Sequence, residues 1–184
     1  MRRKSTKAKL KLRGRKIYLR PPEPADFCKF SELMKKSAPR FRGLVGKFKG
    51  KKQFDEYLQR CGRDDYFGFL ICRSEDDIIV GNINLFHIIH GGLQSACVGY
   101  WVGASHWRQG YATEALQLML RFAFEKQKLH RVEANIQPGN VPSIALVKRL
   151  GFSNEGFSRR YIKIYGKWRD HERWALLVEN WRKP

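Results

Sequence analysis

The sequence contains no apolar run long enough to cross a membrane, and it is poor in cysteine. A membrane-spanning helix needs about 20 mostly apolar residues, and the basic N-terminus lacks the apolar stretch of a secretion signal. The four cysteines form no Cys-x-x-Cys pair and no clear cluster with histidine. We therefore expect no bound metal and no disulfide. These absences predict a cytoplasmic protein with reduced thiols and no membrane contact.

Acidic residues are missing from two segments near the N-terminus. Residues 1–20 carry ten Lys and Arg, residues 35–52 carry eight, and neither segment contains Asp or Glu. The two segments supply 18 of the net charge of +20, because the remaining residues carry 19 basic and 17 acidic side chains. Two explanations stay open: a solvated arm that aids solubility, or contact with a polyanion such as RNA.

The rest of the composition is typical of a folded α/β domain. The chain is 42% hydrophobic and 13% aromatic, which is enough for a core. We expect residues 1–13 to form a flexible basic arm and residues 14–184 a single domain. Apolar periodicity and turn residues predict a mixed sheet. The predicted strands are 17–20, 66–73, 78–88, 95–102, 131–136, 157–165 and 167–178; the predicted helices are 24–36, 53–61, one ending near 126 and one from 141 to about 150.

The stretch from Trp107 to Glu114 joins a buried strand to an amphipathic helix. Gly110 and Ala112 are small, so an anion can approach the free backbone N–H groups and the positive end of the helix dipole. Close packing explains such a pattern as well. No Gly-Lys-Ser/Thr follows and no Gly-x-Gly-x-x-Gly is present, which excludes the Walker and dinucleotide loops.

Several motifs together resemble one enzyme family. Arg108 to Ala115 resembles the acetyl-CoA pyrophosphate loop of the GNAT superfamily of N-acetyltransferases. Asn140-x-x-Ser143, with Leu150-Gly151-Phe152, resembles their second cofactor motif. Tyr165 to His171 and Arg15 to Pro21 are similar to the RimJ/RimL branch, the ribosomal-protein N-terminal acetyltransferases. The resemblance covers about residues 15–181.

The resemblance implies a fold and an activity. The fold is a splayed, mostly antiparallel central sheet flanked by helices, the acyl-CoA N-acyltransferase fold. The activity is transfer of acetyl from acetyl-CoA to a primary amine, in this branch the N-terminal α-amine of a protein such as a ribosomal protein. The basic segments 1–20 and 35–52 then become candidates for contact with the ribosome or its RNA.

The resemblance also implies site residues. Val102 would pair with the pantetheine arm through its backbone, and Asn140 would hydrogen-bond the cofactor. Ser143 would lie near the thioester sulfur and stabilise the leaving thiolate. The backbone groups expected to hold the pyrophosphate belong to five consecutive residues: Gln109, Gly110, Tyr111, Ala112 and Thr113.

The sequence departs from the family pattern at two positions. Trp107 replaces the Gln or Arg that commonly precedes the first glycine by three residues, as is usual in this branch. Cys97 stands where many relatives carry an acid, which leaves no obvious general base. The remaining candidates are Glu133, His87 and Glu155, although a structural role explains each of them better, because no spacing singles them out.

The lack of an obvious general base affects which acceptor amine the site suits. An α-amine has a pKa of about 7.7–8.0 and is partly neutral at pH 7, whereas lysine, at about 10.4, is almost wholly charged. A site without a strong base therefore suits an α-amine. Two alternatives stay open: acetylation of a small amine such as an antibiotic or polyamine, and a non-catalytic CoA-binding module that associates with RNA or the ribosome. Asp170 and His171 are adjacent on a predicted strand and face opposite ways, so we reject them as a dyad.

Overall fold

One sheet connects the two halves of the chain. The computed structural model describes residues 10–41, 43, 44, 46 and 48–182. Within these residues, eight strands lie in the order β1-β2-β3-β4-β5-β6-β8-β7. The strands are β1 (Leu12–Arg13), β2 (Ile17–Arg20), β3 (Tyr66–Arg73), β4 (Ile79–Ile89), β5 (Ser95–Val102), β6 (Arg131–Ile136), β7 (Ser153–Ile164) and β8 (Lys167–Leu177).

Four α-helices flank this sheet. They are α1 (Phe27–Ser37), α2 (Lys51–Cys61), α3 (Tyr111–Arg121) and α4 (Val141–Arg149). A 3-10 turn, Pro24–Asp26, precedes α1, and a π-helical turn, Phe122–Lys126, extends α3. All neighbouring strands are antiparallel except β5 and β6, which are parallel. The predicted mixed, mostly antiparallel α/β fold is confirmed.

The helices cover the two faces of the sheet with separate apolar clusters. Leu116 and Met119 of α3 and Val147 of α4 are fully buried on one face. Phe30 of α1 and Phe54 of α2 are buried on the other. Successive side chains of a strand point to opposite faces, so β3 contributes to both clusters. Each such side chain contributes about 2 kcal/mol by leaving water, which holds the helices against the strands that carry the site.

The N-terminal end of the fold differs from the prediction. Residues 12 and 13 fall within the predicted arm, yet they form β1 and pair with Leu19 and Tyr18. Two residues are too few to give a period-2 pattern, and here the pairing with β2 and the packing of Leu12 on the core supply the order. The predicted arm otherwise lies mostly in residues 1–9, outside the described residues.

The start of β7 also differs from the prediction. The strand begins at Ser153 instead of residue 157, with Ser153 paired to Ala175 of β8. The segment Ser-Asn-Glu-Gly has low strand propensity, so the sequence carries no signal there. The pairing partner, which lies more than twenty residues later in the chain, decides the structure of this segment.

Candidate active site

The strands β5 and β6 pair only over part of their length. The ladder joins Ser95–Cys97 to Arg131–Glu133 and ends there. Beyond Cys97, β5 continues to Val102 and β6 continues to Ile136 without pairing with each other. This gap between the parted strands, which we call the split, is the splay that the resemblance implied.

The backbone of β5 faces the split. The N–H of Gly103 donates to the carbonyl of Val80 on β4, and Val102 is paired opposite Gly81. In an antiparallel ladder this arrangement turns the N–H and C=O of Val102 away from β4. Tyr100, two residues earlier, has the same orientation. Both residues therefore direct backbone polar groups towards the space that β6 has left.

A bulge in β4 lies beside the ladder that precedes the split. Phe86 pairs with Cys97 and Ile89 with Ser95, so β4 has one extra residue against β5. His87, within this bulge, has a positive φ of 52°. A bulge increases the local twist of the strands. The bulge lies at the same level as the short ladder between β5 and β6.

The turn that follows β5 leads into the start of α3. Gly110 is the residue before the helix and has a positive φ of 84°, with no side chain to cap the helix. The first N–H groups of α3 therefore receive no side-chain cap from it. The indole Nε1 of Trp107 donates to the carbonyl of Val102 at 2.7 Å. Lys16 donates through Nζ to the carbonyl of Gln109 at 3.3 Å.

Glu114 ties this turn to the start of β2. Its carboxylate accepts hydrogen bonds from the backbone N–H groups of Arg15 and Lys16, the latter at 2.9 Å. A Cβ at Gly14 would collide with Glu114 Oε1, so a larger residue there would displace the glutamate side chain from this position. The sequence analysis missed this role of Glu114. Its only local signal is an acid in the first turn of a helix, which the helix dipole also favours.

The second polar turn precedes α4. The Asn140 side chain accepts a hydrogen bond from the backbone N–H of Ser143 at 3.4 Å. Asn140 is therefore the capping residue of α4, and the Ser143 hydroxyl is not needed for this purpose. The side-chain oxygen of Asn140 is engaged in the cap. The side-chain amide nitrogen makes no hydrogen bond to the part of the chain described here. That amide is the group available to a cofactor.

The Tyr100 side chain lies beside Ser143 at the split. Its hydroxyl oxygen is enclosed and has no hydrogen-bond partner among the described residues. Burial raises the pKa of Tyr100 to about 12, and the Ser143 side chain lowers it by a smaller amount. The two hydroxyls are therefore neighbours, but they are not oriented to form a hydrogen bond with each other. Tyr100 and Ile144 both pack on the cluster that includes Val147 of α4.

The arrangement of a split sheet, two polar helix starts and a glycine turn matches a known family. The sequence model of the acetyltransferase (GNAT) domain matches residues 16–153. The chain belongs to the GNAT acetyltransferase family. It is an acetyl-CoA-dependent N-acetyltransferase of the RimJ type, and the resemblance stated from the sequence is confirmed.

Individual proteins support the same assignment. The probable N-acetyltransferase YjcK of Bacillus subtilis (strain 168) is 35% identical over 180 residues, which are 90% of this chain and 96% of that protein. The ribosomal protein uS5 alanine N-acetyltransferase of Escherichia coli (strain K12) is 34% identical over 116 residues, 63% of this chain and 59% of that enzyme. Mycobacterium smegmatis RimJ in complex with CoA-disulfide superposes with a TM-score of 0.81 at 30% identity, covering 89% of this chain and 82% of that one.

The turn of this GNAT acetyltransferase fits the pyrophosphate of acetyl-CoA. A Cβ built on Gly110 would meet no protein atom closer than Lys16 Nζ, at 3.9 Å, so the approach to the backbone is open. A cavity of about 630 Å³ adjoins the turn. Its lining includes Gln109 and Tyr111 of the turn and three cations, Arg15, Lys16 and Arg73. Positive charge beside free N–H groups attracts a phosphate.

Two of the three candidate bases, Glu133 and Glu155, are engaged with the same arginine. Glu133, at the last rung of the ladder, accepts a hydrogen bond from Arg131 Nε at 2.9 Å. Glu155 pairs with the same guanidinium. Burial, and then the Glu133 carboxylate, raise the pKa of Cys97 to about 11, so its thiol is neutral at pH 7. His87 is exposed at the bulge in β4.

A second cavity, of about 450 Å³, lies where β6 ends. Gln137 closes one side by donating through Nε2 to the carbonyls of Gly43, at 2.8 Å, and Leu44, at 3.3 Å. Arg169 and Asp170 of β8 line the cavity, and the Arg169 Nε is enclosed without a partner among the described residues. Residues 43 and 44 belong to the basic segment 35–52, so this segment reaches the open end of the split.

The remaining sequence-based candidates fall around these features. Asp170 accepts a hydrogen bond from the backbone N–H of Arg160 at 2.7 Å, while His171 bonds through Nδ1 to the Arg169 carbonyl at 3.0 Å. The two side chains use different partners, in keeping with the rejection of a dyad. Across the described ranges, His, Cys, Asp and Glu form no group of three that would hold a metal. Likewise, none of the helices described is long and apolar enough to span a membrane.

Proposed function

We propose that this acetyltransferase modifies the N-terminal α-amine of a protein, such as a ribosomal protein, in the cytosol. The observation that carries the proposal is the state of the groups at the split. Arg131 binds Glu133 and Glu155, and Cys97 stays protonated. An α-amine is the protein amine that is most often neutral at pH 7, so it depends least on a strong base. The Escherichia coli relative that acts on uS5 supports a protein acceptor.

The reaction forms one bond and breaks another. The neutral amine nitrogen attacks the thioester carbonyl of acetyl-CoA, the carbon–sulfur bond breaks, and the sulfur leaves as a thiolate. The nitrogen loses its proton to water or to a weakly basic group. The products are the acetylated amine and CoA.

Each group of the chain has one task in this proposal. The N–H groups of residues 109–113 hold the pyrophosphate, and the backbone of Val102, which faces the split, pairs with the pantetheine arm. The carbonyl of Val102 is engaged by Trp107, so its N–H is the free partner. The Asn140 amide adds a donor. The Ser143 hydroxyl donates to the sulfur as negative charge develops there.

The cavity beside Gln137 is proposed as the entrance for the acceptor. It lies at the open end of the split and is lined by both Arg169 and Asp170. On the β7–β8 hairpin nearby, Tyr161 is 47% exposed and Trp168 is 58% exposed. Packing within the strands therefore does not account for these two side chains. They provide apolar surface for the residues that follow the acceptor amine.

Acetyl transfer to a panel of amines tests the proposal directly. The panel contains N-terminal peptides with different first residues, the same peptides with a blocked α-amine and a free lysine, and spermidine. We expect mass spectrometry to show acetylation at free N-termini only. Acetylation of the blocked peptides would place the activity on lysine side chains. Acetylation of spermidine alone would favour the small-amine alternative.

The basic segments are proposed to bring the enzyme to an anionic partner such as ribosomal RNA. Deleting residues 2–9 removes five cations (Arg2, Arg3, Lys4, Lys7 and Lys9). The deletion stops before Leu10 because Leu10 and Leu12 pack on the core and Lys11 lies 3.5 Å from the centroid of the Tyr18 ring. We expect weaker RNA binding and a salt dependence flattened by up to about four in slope, with unchanged acetylation of a neutral peptide.

A charge-only variant is the matched control for this deletion. It keeps the length and replaces the same five cations by glutamine, so it should reproduce the deletion in a filter-binding series across salt concentrations. Full RNA affinity with an unchanged slope in both variants would mean that these residues serve solubility only. Loss of peptide acetylation would instead place them at the acceptor site.

A further inference from the structure

We propose that Tyr100 is a positioning residue for Ser143: when acetyl-CoA is bound, the Tyr100 hydroxyl donates a hydrogen bond to Ser143 Oγ. This orients the serine proton towards the sulfur. The inference rests on the proposed role of Ser143 and adds a residue that the sequence motifs did not single out.

The first observation is the unpaired hydroxyl itself. Tyr100 Oη is enclosed by protein and has no hydrogen-bond partner among the described residues. Buried hydroxyls are normally paired, because an unpaired one destabilises the folded state. Two buried tyrosines follow the rule: Tyr18 donates to Asp77 at 2.8 Å and Tyr57 to Asn84 at 3.0 Å. The Tyr100 hydroxyl is an exception that lies at the split, which indicates that it gains its partner when acetyl-CoA is bound.

The second observation is the position of this hydroxyl. Tyr100 lies on β5 beyond Cys97, where the ladder with β6 has ended. Its side chain packs on the apolar cluster that includes Val147 of α4, and Ile144, the residue after Ser143, packs on the same cluster. The Ser143 side chain is near enough to lower the pKa of Tyr100, and the enclosed Tyr100 hydroxyl has no other partner among the described residues.

The direction of the bond follows from the hydrogen count. A serine hydroxyl has one proton and two acceptor sites. If Ser143 donated to Tyr100, it would have no proton left for the sulfur. Burial keeps Tyr100 protonated at working pH, so it can act as the donor. Ser143 then accepts one bond and donates another, and such a chain strengthens as charge grows at its end.

Tyr100→Phe removes only the hydroxyl and tests the inference. Because the free protein loses no hydrogen bond, we expect its melting temperature to be unchanged or higher. We expect kcat to fall about tenfold, with the Kd for acetyl-CoA within about threefold of wild type. In a Ser143→Ala background the same substitution should have no further effect on kcat, since the two groups act in series.

Tyr18→Phe is the matched control. It removes a paired tyrosine hydroxyl on β2, remote from the split, so the melting temperature should fall while kcat stays the same. If Tyr100→Phe also lowers the melting temperature of the free protein, its hydroxyl already has a partner and the inference is wrong. An equal loss of kcat with and without the Ser143 hydroxyl would show that Tyr100 acts independently.

The inference and the proposed function fail in different ways. Normal turnover in Ser143→Ala would remove the role of Ser143 and the relay with it. Reduced turnover in Ser143→Ala with normal turnover in Tyr100→Phe would remove only the relay. The melting temperature of the free protein and the Kd for acetyl-CoA do not depend on the acceptor. Failure of the peptide panel therefore leaves both measurements valid, and turnover is then followed with whichever amine is acetylated.

Discussion

Gly110→Val should weaken acetyl-CoA binding at least about 100-fold. The pyrophosphate is proposed to lie against the N–H groups at the start of α3, and Gly110 leaves that approach open. A valine side chain would occupy the space. Each hydrogen bond to a charged group contributes about 1.5–3 kcal/mol, so losing two of them gives an effect of this size. Isothermal titration calorimetry with acetyl-CoA measures it.

The control for this variant must share its backbone strain. Gly110 has a φ of 84°, which valine tolerates poorly. Gly91, in the turn between β4 and β5, has a φ of 75° and also has open space around it. Gly91→Val should therefore lower the melting temperature in a similar way and leave acetyl-CoA affinity unchanged. If both variants bind acetyl-CoA like the wild type, the phosphate is held elsewhere.

Ser143→Ala should lower kcat about 100-fold while the Kd for acetyl-CoA stays nearly constant. The hydroxyl is proposed to donate to sulfur as that atom becomes negative, so its contribution is larger in the transition state than in the bound substrate. Removing one such preorganised donor reduces turnover by about 10² to 10³. Steady-state kinetics with a reactive peptide, paired with calorimetry, separates the two quantities.

The structure makes this substitution a clean test of chemistry. Asn140 caps α4 through the Ser143 backbone N–H, which alanine retains, so the helix start should persist and the melting temperature should change little. Ser153→Ala, on an exposed part of β7, controls for serine removal in general. Equal kcat in wild type and Ser143→Ala would reduce Ser143 to a structural residue.

Patterns between neighbouring residues predicted much of the fold. The bounds of β2, β3, β5 and β6 match the prediction to the residue, because apolar runs there end at proline, glycine or charged turns. Asn140, Pro142 and Gly151 marked the limits of α4 for the same reason. The short β1 and the polar start of β7 were missed, since neither has an apolar pattern of its own.

The same distinction between local patterns and long-range contacts applies to the site. The glycine turn before α3 and the Asn140-x-x-Ser143 motif are local, so the sequence alone predicted a cofactor loop and, by resemblance, the family. Four features involve residues far apart in the chain. They are the split between β5 and β6, the hydrogen bond from the Lys16 N–H to Glu114, the ion pair of Arg131 with Glu155, and the proximity of Tyr100 to Ser143. No local spacing encodes such contacts. They arise only when the packing of helices and strands places distant residues side by side. Here that packing engages Glu133 and Glu155 with Arg131 and leaves the enclosed hydroxyl of Tyr100 without a partner among the described residues.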